Sequence, residues 1–155
     1  MSDLEQRMEK LEATEAVRAV FAEYCERVDR GRLGDEFGEL FTQDAVMRNP
    51  NPTEGREAIV AYYENFLGTV SFSRHHVVNQ RIEVDGDAAR HRAYFIAMLG
   101  RGGDSLLVFG EYDDRLRRDG GAWRIAEKVN ITAGLTTLEA GWGGDIAAVS
   151  PSRRD

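Results

Sequence analysis

The chain has 155 residues, the length of one compact domain rather than two. Apolar residues make up 42%, and 27 acidic against 20 basic side chains leave a net charge of -7, so the chain can build a core but repels phosphate backbones and anionic membranes. No apolar run approaches the roughly 20 residues of a membrane helix, so neither nucleic acid nor a membrane is an expected partner. The start Met1-Ser2-Asp3-Leu4-Glu5 lacks the basic-then-apolar pattern of a secretory signal, and the single cysteine, Cys25, cannot form an internal disulfide. The expected location is the cytoplasm.

Residues up to Arg30-Gly31 read as a helix, because Val17, Val20, Phe21, Tyr24 and Val28 form one apolar stripe at helical spacing. Leu4, Met8 and Leu11 form a second stripe that points almost opposite to the first. Either the helix kinks near Glu12 to Glu15, or its first turns pack on another subunit. Leu33, Phe37, Leu40 and Phe41 keep a helical period and predict a short second helix, ended by a Thr42-Gln43-Asp44 turn and followed by a strand over Ala45 to Arg48. Asn49-Pro50-Asn51-Pro52 is a loop, and Gly55 precedes a third helix carrying Ile59, Tyr62, Tyr63 and Phe66.

From His75 the apolar period changes to two. Turn signals at Asp85-Gly86-Asp87, Gly100 to Asp104 and Asp119-Gly120-Gly121 divide the rest into strands near 75–84, 88–99, 105–118 and 122–132, an antiparallel meander. Strands this long curl as they twist. The pattern predicts an α+β fold, three N-terminal helices on a curved, mostly antiparallel sheet, with a cone-shaped hole between the layers that suits a small molecule. The domain is expected over 1–135, with 136–155 a tail or a lid over the pocket.

The segments Val28-Asp29-Arg30-Gly31, Leu40 to Val46, His75-His76-Val77-Val78-Asn79, Val84 to Ala88, and Gly110-Glu111-Tyr112 through Ile125 stand in the order and spacing of a known family. Over about residues 5 to 132 the chain resembles SnoaL-like proteins of the nuclear transport factor 2-like superfamily, which includes scytalone dehydratase, bile acid 7α-dehydratase, steroid Δ-isomerase, a hexachlorocyclohexane dehydrochlorinase and non-catalytic binding domains. The resemblance implies a cone-shaped α+β barrel and does not by itself choose a reaction.

Members that resemble the dehydratases carry an Asp at the end of the first helix and a His on the strand after the third, positions that match Asp29 and His75. From the residues alone, Asp29 reads as a solvated carboxylate beside Arg30 and Arg32, off the apolar stripe; the resemblance reverses that preference. A carboxylate there can orient an imidazole that acts as base, though the helix end by itself raises its pKa. To meet the histidine it needs an unwound last turn or a sheet that wraps round to it. Adjacent strand residues face opposite ways, so only one of His75 and His76 enters the pocket, and the family's histidine four residues before an asparagine selects His75 unless a bulge exchanges them. Tyr24 matches a tyrosine of bile acid 7α-dehydratase-like members, where the dehydrochlorinase has a lysine, and a phenol there can polarise a carbonyl. A tyrosine in an apolar stripe is equally a core residue.

Lys128 matches a position where relatives often carry an inward cation. With Tyr62, Phe66 and Asn79 it completes the expected substrate contacts. The histidine doublet has diverging rings and no third ligand at zinc spacing, and no motif requires a cofactor, so neither metal nor cofactor is expected. The reading is a cofactor-free dehydratase-type lyase or isomerase acting on a hydrophobic, ring-containing, steroid- or polyketide-like molecule. Its alternative is a non-catalytic ligand-binding or assembly module. A homo-oligomer is expected, a dimer through the outer sheet face or the Leu4-Met8-Leu11 stripe.

Overall fold

In the computed structural model, which describes residues 2–48 and 51–141, the first helix is α1 (Asp3–Asp29). Ser2 caps it: its hydroxyl accepts from the Glu5 backbone while the Glu5 carboxylate accepts from the Ser2 backbone. The helix is continuous, so the two-stripe conflict is not relieved by a break. Val17, Phe21, Tyr24 and Val28 are buried, while Leu4, Met8 and Leu11 stay exposed. Burying one such large side chain contributes about 1.5–3 kcal/mol, so the stripe from Val17 onward is what holds the helix to the sheet.

A short α2 (Asp35–Gly38) follows, and then β1 (Phe41–Arg48) begins where the sequence suggested a helix end and a turn. Phe37 and Phe41 are both fully buried but belong to different elements. Thr42, Gln43 and Asp44 lie in the register shift between the Phe41–Ile125 and Val46–Glu127 pairs, and contacts distant in sequence hold the strand on either side and at Asp44. Arg56 donates to the Phe41 carbonyl from Nε and Nη2, and the Arg117 guanidinium grips the Asp44 carboxylate. Pairing overrides local turn preference here. A two-residue β2 (Thr53–Glu54) and α3 (Arg56–Leu67) complete the first half.

The meander is β3 (Phe72–Asp85), β4 (Ala88–Arg101), β5 (Asp104–Asp119) and β6 (Ala122–Thr137). Gly102-Gly103 and Gly120-Gly121 join strands with positive φ at both residues, the geometry that matches strand twist in tight hairpins. The sheet order is β2-β1-β6-β5-β4-β3, with β1 parallel to β6 and every other pair antiparallel. The result is three helices on a six-stranded, curved, unclosed sheet, an α+β cone. α1 lies against β3 and β6, and α3 against β1. β6 extends to Thr137, past the expected domain end at 135, and the segment from 142 onward lies outside the described residues. No helix among the described residues is long and apolar enough to cross a membrane.

Register shifts bend the sheet at Phe109/Gly110 and between Val78 and Arg81. At Gly110 a β-carbon would stand 2.1 Å from the Ile131 carbonyl oxygen, so only glycine permits that approach, and the Phe95 ring packs where the side chain would be.

Candidate active site

Asp29 is the last residue of α1, whose final turn stays helical, and β3 wraps round to meet it. The carboxylate collects three hydrogen bonds. Oδ1 accepts from the Ser73 hydroxyl at 2.7 Å and lies 2.6 Å from His75 Nδ1, and Oδ2 accepts the His75 backbone N–H at 2.8 Å. A carboxylate only accepts, so Nδ1 carries the proton and Nε2 is the free, basic nitrogen. Burial pushes the Asp29 pKa up, but the hydrogen bonds from the His75 ring, its backbone and Ser73 outweigh that and hold it below the ordinary carboxylate value. The rise expected from the helix end is thus overcome. Only 6% of the Asp29 side chain and 11% of the His75 side chain reach solvent.

His75 lines a cavity of ≈ 240 Å³ between the helices and the inner face of the sheet. His76 is exposed on the other face, and the bulge lies beyond the doublet, so it does not exchange the two rings. The helical wall is aromatic, with Tyr24, Tyr62, Tyr63 and Phe66; Phe95 and Tyr112, stacked with centroids 4.5 Å apart, face them from the sheet. The Tyr24 and Tyr63 hydroxyls are 2.7 Å apart. Burial raises the pKa of Tyr24 well above the usual phenol range, reinforced by Tyr63 and Tyr112, and burial also raises that of Tyr63. Both therefore stay protonated and act as hydrogen-bond donors rather than bases. Asn130 lines the same cavity, and its Oδ1 is buried without a hydrogen-bond partner. A buried acceptor left unpaired costs about 1–3 kcal/mol.

The structure thus brings Tyr24, His75, Tyr62 and Phe66 to one cavity, with Asp29 behind the histidine. Two expected contacts are not there. Asn79 sits in the β3 bulge at φ 54°, exposed beside Arg81 and Arg90 in an outer groove, because the bulge breaks the alternation that would have kept it on the His75 face. Lys128 does point inward but is fully buried below the cavity. Its ammonium is 3.1 Å from Asp114 Oδ1 and 3.4 Å from the Tyr112 ring centroid. Burial lowers its pKa, and the attraction of Asp114 opposes that.

Asp114 and His91, which the sequence reading did not single out, complete this buried group. Asp114 accepts the Val129 backbone N–H at 2.9 Å, His91 Nδ1 lies 3.3 Å from Asp114 Oδ2, and His91 Nε2 lies 3.2 Å from Gln80 Oε1. Phe21 stacks on the His91 ring at 3.6 Å between centroids. The available signal was alternation: Ala89, His91, Ala93 and Phe95 form one inward row, and Tyr112, Asp114 and Leu116 another.

A SnoaL-like domain profile matches residues 9–129, and the chain belongs to that family. Among solved structures, a scytalone dehydratase-like protein from Novosphingobium aromaticivorans superimposes with a TM-score of 0.79 at 20% identity, covering 94% of this chain and 97% of that one. A hexachlorocyclohexane dehydrochlorinase, LinA-type3 from Novosphingobium barchaimii, gives a TM-score of 0.75 at 18% identity, covering 90% and 99%. A protein from Novosphingobium aromaticivorans described as NTF2-like with a cystatin-like fold gives 0.66 at 22% identity, covering 83% and 86%. At these identities the likeness establishes the NTF2-like fold. None of the curated proteins compared with the chain matches it.

Proposed function

We propose that this SnoaL-like protein is a cofactor-free lyase or isomerase that abstracts a proton next to a carbonyl in a small ring compound. The observation that carries the reading is the Asp29–His75 pair at 2.6 Å, with the histidine ring on the wall of an aromatic cavity. In this scheme His75 Nε2 takes the proton, and Asp29 holds the Nδ1–H and stabilises the resulting imidazolium. The Tyr24 hydroxyl donates to the carbonyl oxygen as enolate charge develops. In an elimination, the electron pair forms the new C=C bond while a hydroxyl on the next carbon leaves as water, protonated by the imidazolium. In an isomerisation, the same proton returns to a different carbon. About 150 Å³ suffices for benzene, so ≈ 240 Å³ suits one or two rings better than the four of a steroid.

The test is a two-by-two set of Asp29→Asn and His75→Ala, assayed by loss of hydroxyl or shift of the double bond on bicyclic hydroxy-ketones, with thermal melts alongside. Each single variant is expected to lose on the order of 10²- to 10⁴-fold in turnover, and the double variant little more, because the pair acts as one unit. Wild-type turnover that survives in both single variants refutes the reading. Ligand binding without turnover in all four proteins supports a binding module instead.

For assembly, the proposal is a homodimer through the outer sheet face, where Tyr94, Ile96 and Met98 are 52%, 42% and 38% exposed, or through the Leu4-Met8-Leu11 stripe. Light scattering of the full chain and of a form lacking residues 1–12 decides it; two monomers exclude both surfaces.

A further inference from the structure

The inward row of β4 ends in a charge. Ala93, Phe95, Ala97 and Leu99 are 5%, 5%, 3% and 9% exposed, and the next residue of that row, Arg101, is exposed at the hairpin and lines the cavity. The exposure gradient makes Arg101 the mouth. Its cross-strand neighbour, Asp104, forms no ion pair with it, and neither does any other described carboxylate. Elsewhere on these strands Arg90, Arg92, Arg115 and Arg117 each hold a carboxylate. No carboxylate stands among the described residues that line the cavity, where Arg101 is the one permanently charged side chain.

We infer that Arg101 makes the cavity mouth a seat for an anionic group, so that the ligand is a ring compound bearing a carboxylate at the end remote from His75. This rests on the cavity being the ligand site of the proposed function, and not on turnover there. The register sets the spacing. His75 pairs with Ala97, and Arg101 stands four residues further along β4, roughly 13 Å at about 3.3 Å per residue. A two-ring body with a short acidic side chain spans that interval. Arg101 is exposed, so solvent keeps the attraction modest, and a neutral ligand of the same shape forgoes it.

The experiment measures binding of naphthylacetic and naphthylbutanoic acids and of their methyl esters by calorimetry. The proteins are wild type, Arg101→Met and Arg101→Lys, each at low and high salt. The wild type is expected to prefer acid over ester by about three- to tenfold, the range for a charge-assisted contact at a partly exposed site. Salt should reduce that preference, Arg101→Lys should keep part of it and Arg101→Met should lose it, with ester binding unchanged. Equal binding of acid and ester by the wild type, or a preference that survives in Arg101→Met, overturns the inference while leaving the cavity reading intact. Binding of none of the probes overturns both. Conversely, an acid preference that depends on Arg101 stands even if turnover proves indifferent to Asp29 and His75. Arg101 is exposed, so its variants are expected to melt with the wild type, which the same samples verify.

Discussion

Replacing Lys128 with Met removes a charge from a place that water does not reach. Lys128 and Asp114 are both 0% exposed, with Nζ 3.1 Å and 3.4 Å from the two carboxylate oxygens. Met fills nearly the same volume, so little cavity cost arises. What is lost is the cation facing Asp114 and the Tyr112 ring. Breaking a buried pair by removing one partner costs about 3–5 kcal/mol. Asp114 keeps the Val129 N–H and the His91 ring, which places the expected loss near the lower end, about 3 kcal/mol. With a urea m-value of about 2 kcal/mol/M, the unfolding midpoint should fall by about 1.5 M. The double variant Lys128→Met, Asp114→Asn leaves no uncompensated charge and keeps an acceptor for Val129, so it should recover to within about 1 kcal/mol of wild type. Urea titrations at pH 7 give both numbers. A loss under about 1 kcal/mol in the single variant, or a double variant as unstable as the sum of the two singles, refutes the claim that a charged pair is buried there.

Asp29→Asn should lower stability at neutral pH, and the deficit should shrink in acid. The folded pKa of Asp29 lies below its ordinary value, so its contribution is complete above about pH 4, near the unfolded value, and is lost as pH falls through the folded one. Paired thermal melts between pH 7 and pH 3 read this out, and a deficit independent of pH contradicts it. The Cys25 thiol, pushed up to about 12 by burial, with Lys128 pulling it back and Asp29 and Asp114 adding to the rise, should react with a thiol reagent at pH 8 far more slowly in the native protein than in guanidinium. Gly110→Ala should destabilise strongly, by about 2 kcal/mol or more, because a backbone carbonyl must move; a melt unchanged from wild type shows that the strand crossing relaxes freely.

Where the fold depended on neighbours in sequence, it could be read. The Val17–Phe21–Tyr24–Val28 spacing marked the buried face of α1, and the glycine pairs marked the hairpins. β1 was misjudged at Thr42 to Asp44 because its partners, Ile125 to Val129 and Arg117, are remote, and no local pattern encodes them. The proximity of Asp29 to His75 came from the family pattern rather than from helical periodicity. Asp29 lies off the main stripe, and the face it occupies is covered only because β3 curls round α1. Asn79 was misplaced for the reverse reason: strict alternation was assumed through a bulge that the sequence does not announce.

The parallel pairing of β1 with β6 sets the timetable of folding. Phe41 pairs with Ile125 and Met47 with Lys128, so the strand made early must wait for the strand made last. At about 5–20 residues per second the delay during synthesis is on the order of several seconds. Through that interval Val17, Phe21 and Val28 have no complete sheet to cover them, while β3, β4 and β5 can already zip through their local hairpins. The nascent chain is therefore a meander with the apolar face of α1 only partly covered until the last strand inserts between β1 and β5 and closes the wall of the cavity.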